Sequence, residues 1–263
     1  KVILAEDKPR FGGSLLTDDV TIGNKKGKDW ADETVLQLKS MPNVIVKNRS
    51  QVFGYYDHNM MVMFERTKDH IENPTKFTPR QRLWYIRAKE VIISTGSIER
   101  PLVFGNNDRP GIMLASAAKE YMKVYGVLVG KKPIIFTNND SAYQTAIDFL
   151  FKNIDVQAII DVRKDSNGHL VKKARHHGLK IYFNHAVINT KGRKKINKVT
   201  ISEFDGKFNI LIGKPKKLSC DLLCVSGGWT PTVHLEFYFA LTIALRLSLL
   251  MLSTLLFRHD SNH

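Results

Sequence analysis

The chain has 263 residues, enough for one large domain or two of about 100–150 residues with a sizeable core. Hydrophobic residues make up 43% and charged residues 25%, an ordinary globular balance that excludes fibrous and low-complexity classes. The net charge of +15 comes mostly from lysine and is densest over 191–198 and 214–217. No aromatic-interleaved basic stripe, RNP motif or zinc-finger spacing accompanies it, so it reads as a solvated basic surface with no nucleic-acid partner.

The chain opens inside an apolar strand, "KVILAED", without an initiator methionine or signal peptide, and so reads as a fragment. Val2 to Ala5 is that strand, and a polar turn containing Gly12-Gly13 runs from Asp7 to Leu16. Asp29 to Ser40 has helical spacing, with Trp30, Val35, Leu36 and Leu38 apolar. "NVIVKN", "QVFGYY" and "NMMVMFER" read as meander strands. "RLWYIRAKEVIISTGS" reads as a strand, a polar link and a second strand ending in Thr95-Gly96. "ERP" leaves this unit extended, as the residue before proline must.

Beyond 101–111 the alternation resumes. Ala115 to Tyr125 is a helix, Ile134 to Phe136 a strand, Ala142 to Lys152 a helix and "VQAIIDV" a strand. A helix from Leu170 to His177 stops at Gly178, and the strands "LKIYFN", "KVTISEF" and "FNILIG" follow. "LSCDLLCVSGGWTP" is an apolar strand ending in a Gly-Gly turn. Its two cysteines, Cys220 and Cys224, fit neither a C-x-x-C dithiol nor a four-ligand zinc site and read as buried thiols in a reducing cytoplasm. Alternating strands and helices with short connections imply an α/β architecture on parallel sheets, in two nucleotide-fold domains.

The last stretch breaks the pattern. Glu236 to Phe257 is apolar except for Glu236, Arg246 and a few hydroxyls, long enough to span a bilayer. Arg246 near its centre would cost about 2.5–3.5 kcal/mol on insertion scales. The abrupt shift in composition reads as an atypical tail or an altered reading frame rather than a membrane anchor.

Three stretches bear on chemistry. In "VILAEDKPRFGGSL", Glu6 with Asp7 stands at a strand end, where a carboxylate in an open α/β sheet accepts both hydroxyls of a nucleotide ribose. Gly12, Gly13 and Ser14 let the backbone turn beside such a ligand. In "VIISTGSIERP", Thr95 and Gly96 end a strand and bring backbone and a small hydroxyl toward the pyrophosphate. In "IIFTNNDSAYQTAIDFL" a strand, turn and helix repeat the βαβ layout, yet Thr137 and Asn139 replace the first two glycines of G-x-G-x-x-G/A and Ala142 holds the third place. Their β-carbons and polar side chains stand where phosphate oxygens would lie, so this turn keeps the shape of a phosphate loop without its site. No catalytic acid, base or nucleophile and no metal cluster is legible.

"STGSIERPLVFGNNDRPGIMLASAAKEYMKVYGV", "KPIIFTNNDSAYQTAIDF" and "SGGWTPTVHL" resemble the α subunits of heterotetrameric sarcosine oxidases, over about Lys1 to Leu235. The resemblance implies two dinucleotide-binding (FAD/NAD(P)-type, disulfide-reductase-like) domains, the first incomplete. Residues 1–110, completed by 222–235, would form the first; 111–221 the second, with its degenerate glycine loop; 236–263 the apolar tail. It implies NAD bound to this segment, with Val52 offering backbone to the adenine. FAD or FMN and tetrahydrofolate would serve the full assembly with β, γ and δ subunits and a small amine substrate, in the cytoplasm. "IMLASAAKEY" lacks the thiols of thioredoxin-reductase-like relatives, which excludes disulfide exchange. The family's first strand and glycine loop are expected upstream of Lys1. An opine- or amine-dehydrogenase α-type subunit is the alternative within the class. A non-catalytic membrane-tethered or interaction protein is the alternative outside it.

Overall fold

The computed structural model describes residues 1–77, 79–205 and 211–235. The described residues divide into two compact units, one of residues 1–96 with 231–235, the other of residues 97–230. The apolar tail 236–263 lies outside the described residues.

The first unit opens with a βαβ element. β1 (Val2–Ala5) pairs in parallel with β2 (Val44–Lys47), Val2 opposite Val44 and Ala5 opposite Lys47. Parallel pairing needs a long crossover, supplied by α1 (Gly27–Ser40), which has Asp29 in its first turn and Lys39 in its last, each favourable to the helix dipole. "NVIVKN" therefore lies beside β1 and not in the meander, because the helix returns the chain alongside its own starting strand. The meander is β3 (Ser50–Tyr56), β4 (Met60–Arg66) and β5 (Gln81–Arg87), all antiparallel, with β3 at one edge. Its register runs from Val52 opposite Met63 to Gly54 opposite Val62, so Phe53 is an extra residue, a β-bulge. The expected strand over Val91–Ser94 does not form: the run adopts no ladder and Ile92 stands 91% exposed. An apolar run becomes a strand only where a partner receives its hydrogen bonds, and none does so among the described residues.

The second unit is built in three layers. Its central sheet takes β6 (Ile112–Leu114), β7 (Pro133–Thr137), β8 (Ala158–Asp161), β9 (Ile181–Phe183) and β13 (Leu222–Ser226). They run in the order β9-β8-β7-β13-β6, every pair parallel. α2 (Ala115–Val124), α3 (Ser141–Phe151) and α4 (His169–His176) cover one face, where Ile135 and Ile159 join Tyr143, Ala146, Phe149 and Val171 in one apolar cluster. An antiparallel sheet of β10 (His185–Lys191), β11 (Lys198–Phe204) and β12 (Leu211–Ser219) covers the other. There Ile134, Phe136, Ile160 and Val225 meet Val187, Val199 and Ile201. The strand period of two thus sends successive residues of Ile134-Ile135-Phe136 to opposite cores.

Two details differ from expectation. Strand β10, "HAVINTK", is not among the expected strands: its apolar run is only Ala186-Val187-Ile188, and its extent is set by its register with β11. Leu222–Ser226, assigned above to the completion of the first domain, lies in the second unit's sheet between β7 and β6. Burial on both faces, with all five residues buried, is the state that its unbroken apolar run suits.

Candidate functional site

In the first unit the end of β1 is stitched to the start of β3. The Glu6 N–H donates to the Lys47 carbonyl at 2.9 Å, and the Ser50 N–H donates to the Glu6 carbonyl at 2.8 Å. The Arg49 N–H reaches the Lys8 carbonyl, Asn48 Nδ2 the Pro9 carbonyl, and Arg66 the Asp7 carbonyl. The strand end is thereby fixed on three sides, and Glu6 and Asp7 are held on rigid backbone. One carboxylate oxygen of Glu6 accepts the Lys8 N–H at 3.0 Å. Burial pushes the Glu6 carboxyl up, the Lys8 amide opposes it, and neighbouring Asp7 adds to the rise. A half-buried acceptor at the carboxyl end of a parallel strand suits a neutral diol such as a ribose. Val52 follows two residues after Ser50 on the edge strand β3, whose outward backbone groups this sheet leaves unused.

Gly12, Gly13 and Ser14 belong to a short 3-10 turn (Gly13–Leu16) leading toward α1. Gly12 has φ 124°, and a Cβ there would come within 3.0 Å of Leu16 and 3.2 Å of Ala31. Only glycine fits, and packing against α1 is a sufficient reason. Thr95 and Gly96 sit at the join with the returning chain: Thr95 Oγ1 donates to the Thr232 carbonyl at 2.5 Å, and the Thr232 N–H donates to the Gly96 carbonyl at 2.9 Å. The structure thus stitches Glu6 and Asp7 to the start of β3, two residues before Val52. Thr95 and Gly96 are fixed by a different part of the unit.

Sequence reasoning missed a cluster beside that neighbourhood. Glu65, 9% exposed, accepts Lys47 Nζ at 2.9 Å on one oxygen and Trp84 Nε1 at 2.7 Å on the other. Lys47 Nζ also lies 5.0 Å from the centroid of the Trp84 ring. Burial alone would push the Glu65 carboxyl up, but the hydrogen bonds from Lys47 and Trp84 outweigh it and hold the group ionised below the usual carboxylate range. The only sequence signal is register: Val52, Met63 and Trp84 form one cross-strand row, with Ser50, Glu65 and Arg82 in the row two residues along.

In the second unit the turn after β7 satisfies itself. Thr137 Oγ1 takes the Asn139 N–H at 3.0 Å, and Asn139 Oδ1 accepts the Ser141 N–H at 3.1 Å and the Ser141 hydroxyl at 2.6 Å. Asn139 Nδ2 donates to Ser226 Oγ at 3.0 Å, and Trp229 Nε1 donates to Ser141 Oγ at 2.9 Å. The amides that would cradle a pyrophosphate at the start of α3 are thus capped from within. The acid at the end of β8 is also committed. Asp161, fully buried, accepts the Tyr143 hydroxyl at 2.7 Å and the Arg163 guanidinium at 2.7 and 3.0 Å, while Arg163 NH1 meets Asp140 at 2.7 Å. That position would grip a ribose in a binding unit. Here it holds a tyrosine and an arginine.

The central parallel sheet, its helical and antiparallel covering layers, and the separate βαβ-plus-meander unit define a fold of the two-dinucleotide-domain type. Thioredoxin reductase of T. acidophilum has this fold, with a TM-score of 0.62 at 14% identity over 89% of this chain and 71% of that one. A NAD-dependent persulfide reductase from A. fulgidus gives 0.59 at 14% identity over 90% of this chain and 42% of that one. No family model matches the chain. In sequence it is 39% identical over 235 residues to the sarcosine oxidase subunit alpha of Rhizobium meliloti (strain 1021), and 35% identical over 242 residues to that of Corynebacterium sp. (strain P-1). These matches take in 89 and 90% of this chain but 22 and 24% of the relatives, so the chain spans about a quarter of their length. The resemblance drawn from "NDRPGIML", "TNNDSAY" and "SGGWTPTVHL" stands.

Proposed function

We propose that the chain is the dinucleotide-binding part of a sarcosine-oxidase-like α subunit, and that its ligand, NAD, lies on the first unit. Similarity to sarcosine oxidase α subunits over nine-tenths of the chain supports the assembly. The half-buried Glu6 carboxylate at the stitched end of β1 is the observation that carries the site. Glu6 would hold the adenosine ribose, with Asp7 beside it. Gly12, Gly13 and Ser14 would shape the neighbouring wall, Val52 would offer backbone to the adenine, and Thr95 and Gly96 would approach the pyrophosphate. The nicotinamide supplies hydride chemistry when bound; the residues of this chain would bind and orient the dinucleotide. Oxidative demethylation of sarcosine, with flavins and tetrahydrofolate, belongs to the larger assembly of α, β, γ and δ subunits. Among the described residues no helix is long and apolar enough to cross a membrane.

Isothermal calorimetry with NAD and with ADP-ribose tests the reading. Glu6→Ala is expected to weaken both at least about tenfold, the size of one lost hydrogen bond to a charged group. Unchanged affinity would remove Glu6 from the site.

A further inference from the structure

We infer that the β10–β11 hairpin, residues 191–198, together with Lys217 on β12, is a docking face for an acidic surface of another polypeptide. The inference concerns the second unit and does not depend on where a dinucleotide sits.

Most basic residues of a globular chain need no partner beyond water. This hairpin differs in three respects. The first is that its charge is left uncompensated. The run "KGRKKINK" holds five cations and no acid. Lys191, Arg193, Lys194, Lys195 and Lys198 are all exposed, and among the described residues none of them is paired with a carboxylate, whereas Arg10, Lys47, Arg163 and Arg175 are. The acids in the segments that touch the hairpin do not neutralise it: Asp221 accepts the Lys131 and Lys132 amides, and Asp108 makes no ion pair among the described residues.

The second is register. Lys191 stands directly opposite Lys198 in the ladder. Like charges so placed on one face of a sheet destabilise it. Lys198 in turn faces Ser219 on β12, and Lys217, two residues back, faces Thr200. Lys191, Lys198 and Lys217 therefore share the outer face, while Val199 and Ile201 point into the core.

The third is rigidity. Ile196 is fully buried among Ile134, Phe136 and Val225 and pins the turn to the core. Its N–H donates to the Pro110 carbonyl at 2.8 Å, and the Asn197 N–H donates to the Lys191 carbonyl at 2.8 Å. The Arg109 guanidinium donates to the Gly192 carbonyl. At Gly192, φ 155°, a Cβ would lie 1.8 Å from the Lys195 carbonyl oxygen, so the turn closes too tightly for any side chain. A backbone fixed in advance loses less entropy on association, and the repulsion built into the face is relieved when anionic groups lie across it.

The chemistry of the occupant follows from what the face offers. Its charges are strung along a turn and across three strands and do not converge on one point, which fits an extended acidic surface better than a single phosphate. Its one apolar side chain, Ile196, is buried, so nothing is presented to the apolar part of a lipid interface. The run contains no aromatic residue on which a base could stack. Glutamates and aspartates of a second polypeptide fit all three properties.

The test compares two full-length variants of equal net charge. One carries Arg193→Gln, Lys194→Gln and Lys195→Gln; the other carries Lys26→Gln, Lys28→Gln and Lys89→Gln, exposed cations of the first unit. Binding of a labelled polyglutamate peptide is followed by fluorescence anisotropy at low ionic strength. The hairpin variant is expected to bind the peptide about tenfold more weakly than the parent, the size of three lost surface ion pairs. The control should lose less than about twofold, since distant charges are largely screened. A DNA duplex, and vesicles of equal parts phosphatidylcholine and phosphatidylserine, should be weakened alike by the two variants. If the parent binds no peptide, or the two variants lose it equally, the hairpin is solvated surface and the inference falls. It falls also if the hairpin variant loses the duplex or the vesicles by as large a factor as the peptide, because the face is then a general phosphate surface.

Discussion

The thiol of Cys220 is 3% exposed, and burial, with the charge of Asp221 behind it, pushes it up to about 12. Cys224 is fully buried, and burial pushes it up as well. At pH 8 a thiol with such a pKa is ionised to only about one part in ten thousand, and the thiolate is the reactive species. Native chain treated with a thiol reagent at pH 8 should therefore label neither residue, and guanidinium should release two equivalents. Rapid labelling of the native chain would show the thiols to be accessible. The apolar setting of "CDLLC" made the burial of these two residues legible in sequence. Glu65 was not legible. Its partners Lys47 and Trp84 lie 18 and 19 residues away, and only the strand register brings three unremarkable residues into one cluster.

At the scale of elements, the turn into α3 shows what a sequence discloses and what it withholds. Thr137 and Asn139 in place of glycines signalled a changed phosphate loop. The Asp161–Arg163–Tyr143 lock beside it was not visible, because its members belong to a different strand, loop and helix. Asp161 is fully buried and draws its compensation from Tyr143 and Arg163. Arg163→Ala would leave that carboxylate with one hydroxyl and one amide, and should lower stability by about 3–5 kcal/mol in denaturant unfolding. Tyr143→Phe removes a single hydrogen bond to a charged group and should cost about 1.5–3 kcal/mol. Equal, small effects would show the cluster to be hydrated and not a lock. Helices α1 to α4 fall within one or two residues of the sequence expectation at almost every end, since their apolar spacing is local. Strand β10 was missed, and the expected strand over Val91–Ser94 did not form, for the converse reason: a strand is defined by its partner, which no local pattern names.

For the whole molecule, the two units differ in how completely their sheets are covered. In the second unit the parallel sheet is buried on both faces, and Ile134, Ile135, Ile159, Ile160 and Leu223 are fully buried. In the first, β1 pairs only with β2 among the described strands, and Val2, Ile3 and Leu4 are 56, 38 and 36% exposed. Exposed apolar surface contributes nothing to stability until it is covered, at roughly 25 cal/mol per Å², so the strand that carries Glu6 is held by its backbone stitches more than by a core. Amides open at free energies set by local burial. Native-state hydrogen exchange on the full chain should find the amides of Ile134–Phe136 and Leu223–Val225 protected to near the global limit. Those of Val2–Ala5 should exchange orders of magnitude faster. Saturating ADP-ribose should slow exchange at Glu6 and along β3, where the ligand is expected to sit, and leave the second unit's protection unchanged. Slowing at Asn139–Ser141 instead would mean that the turn in the second unit opens to accept a nucleotide, and the assignment of the ligand to the first unit would have to be reversed.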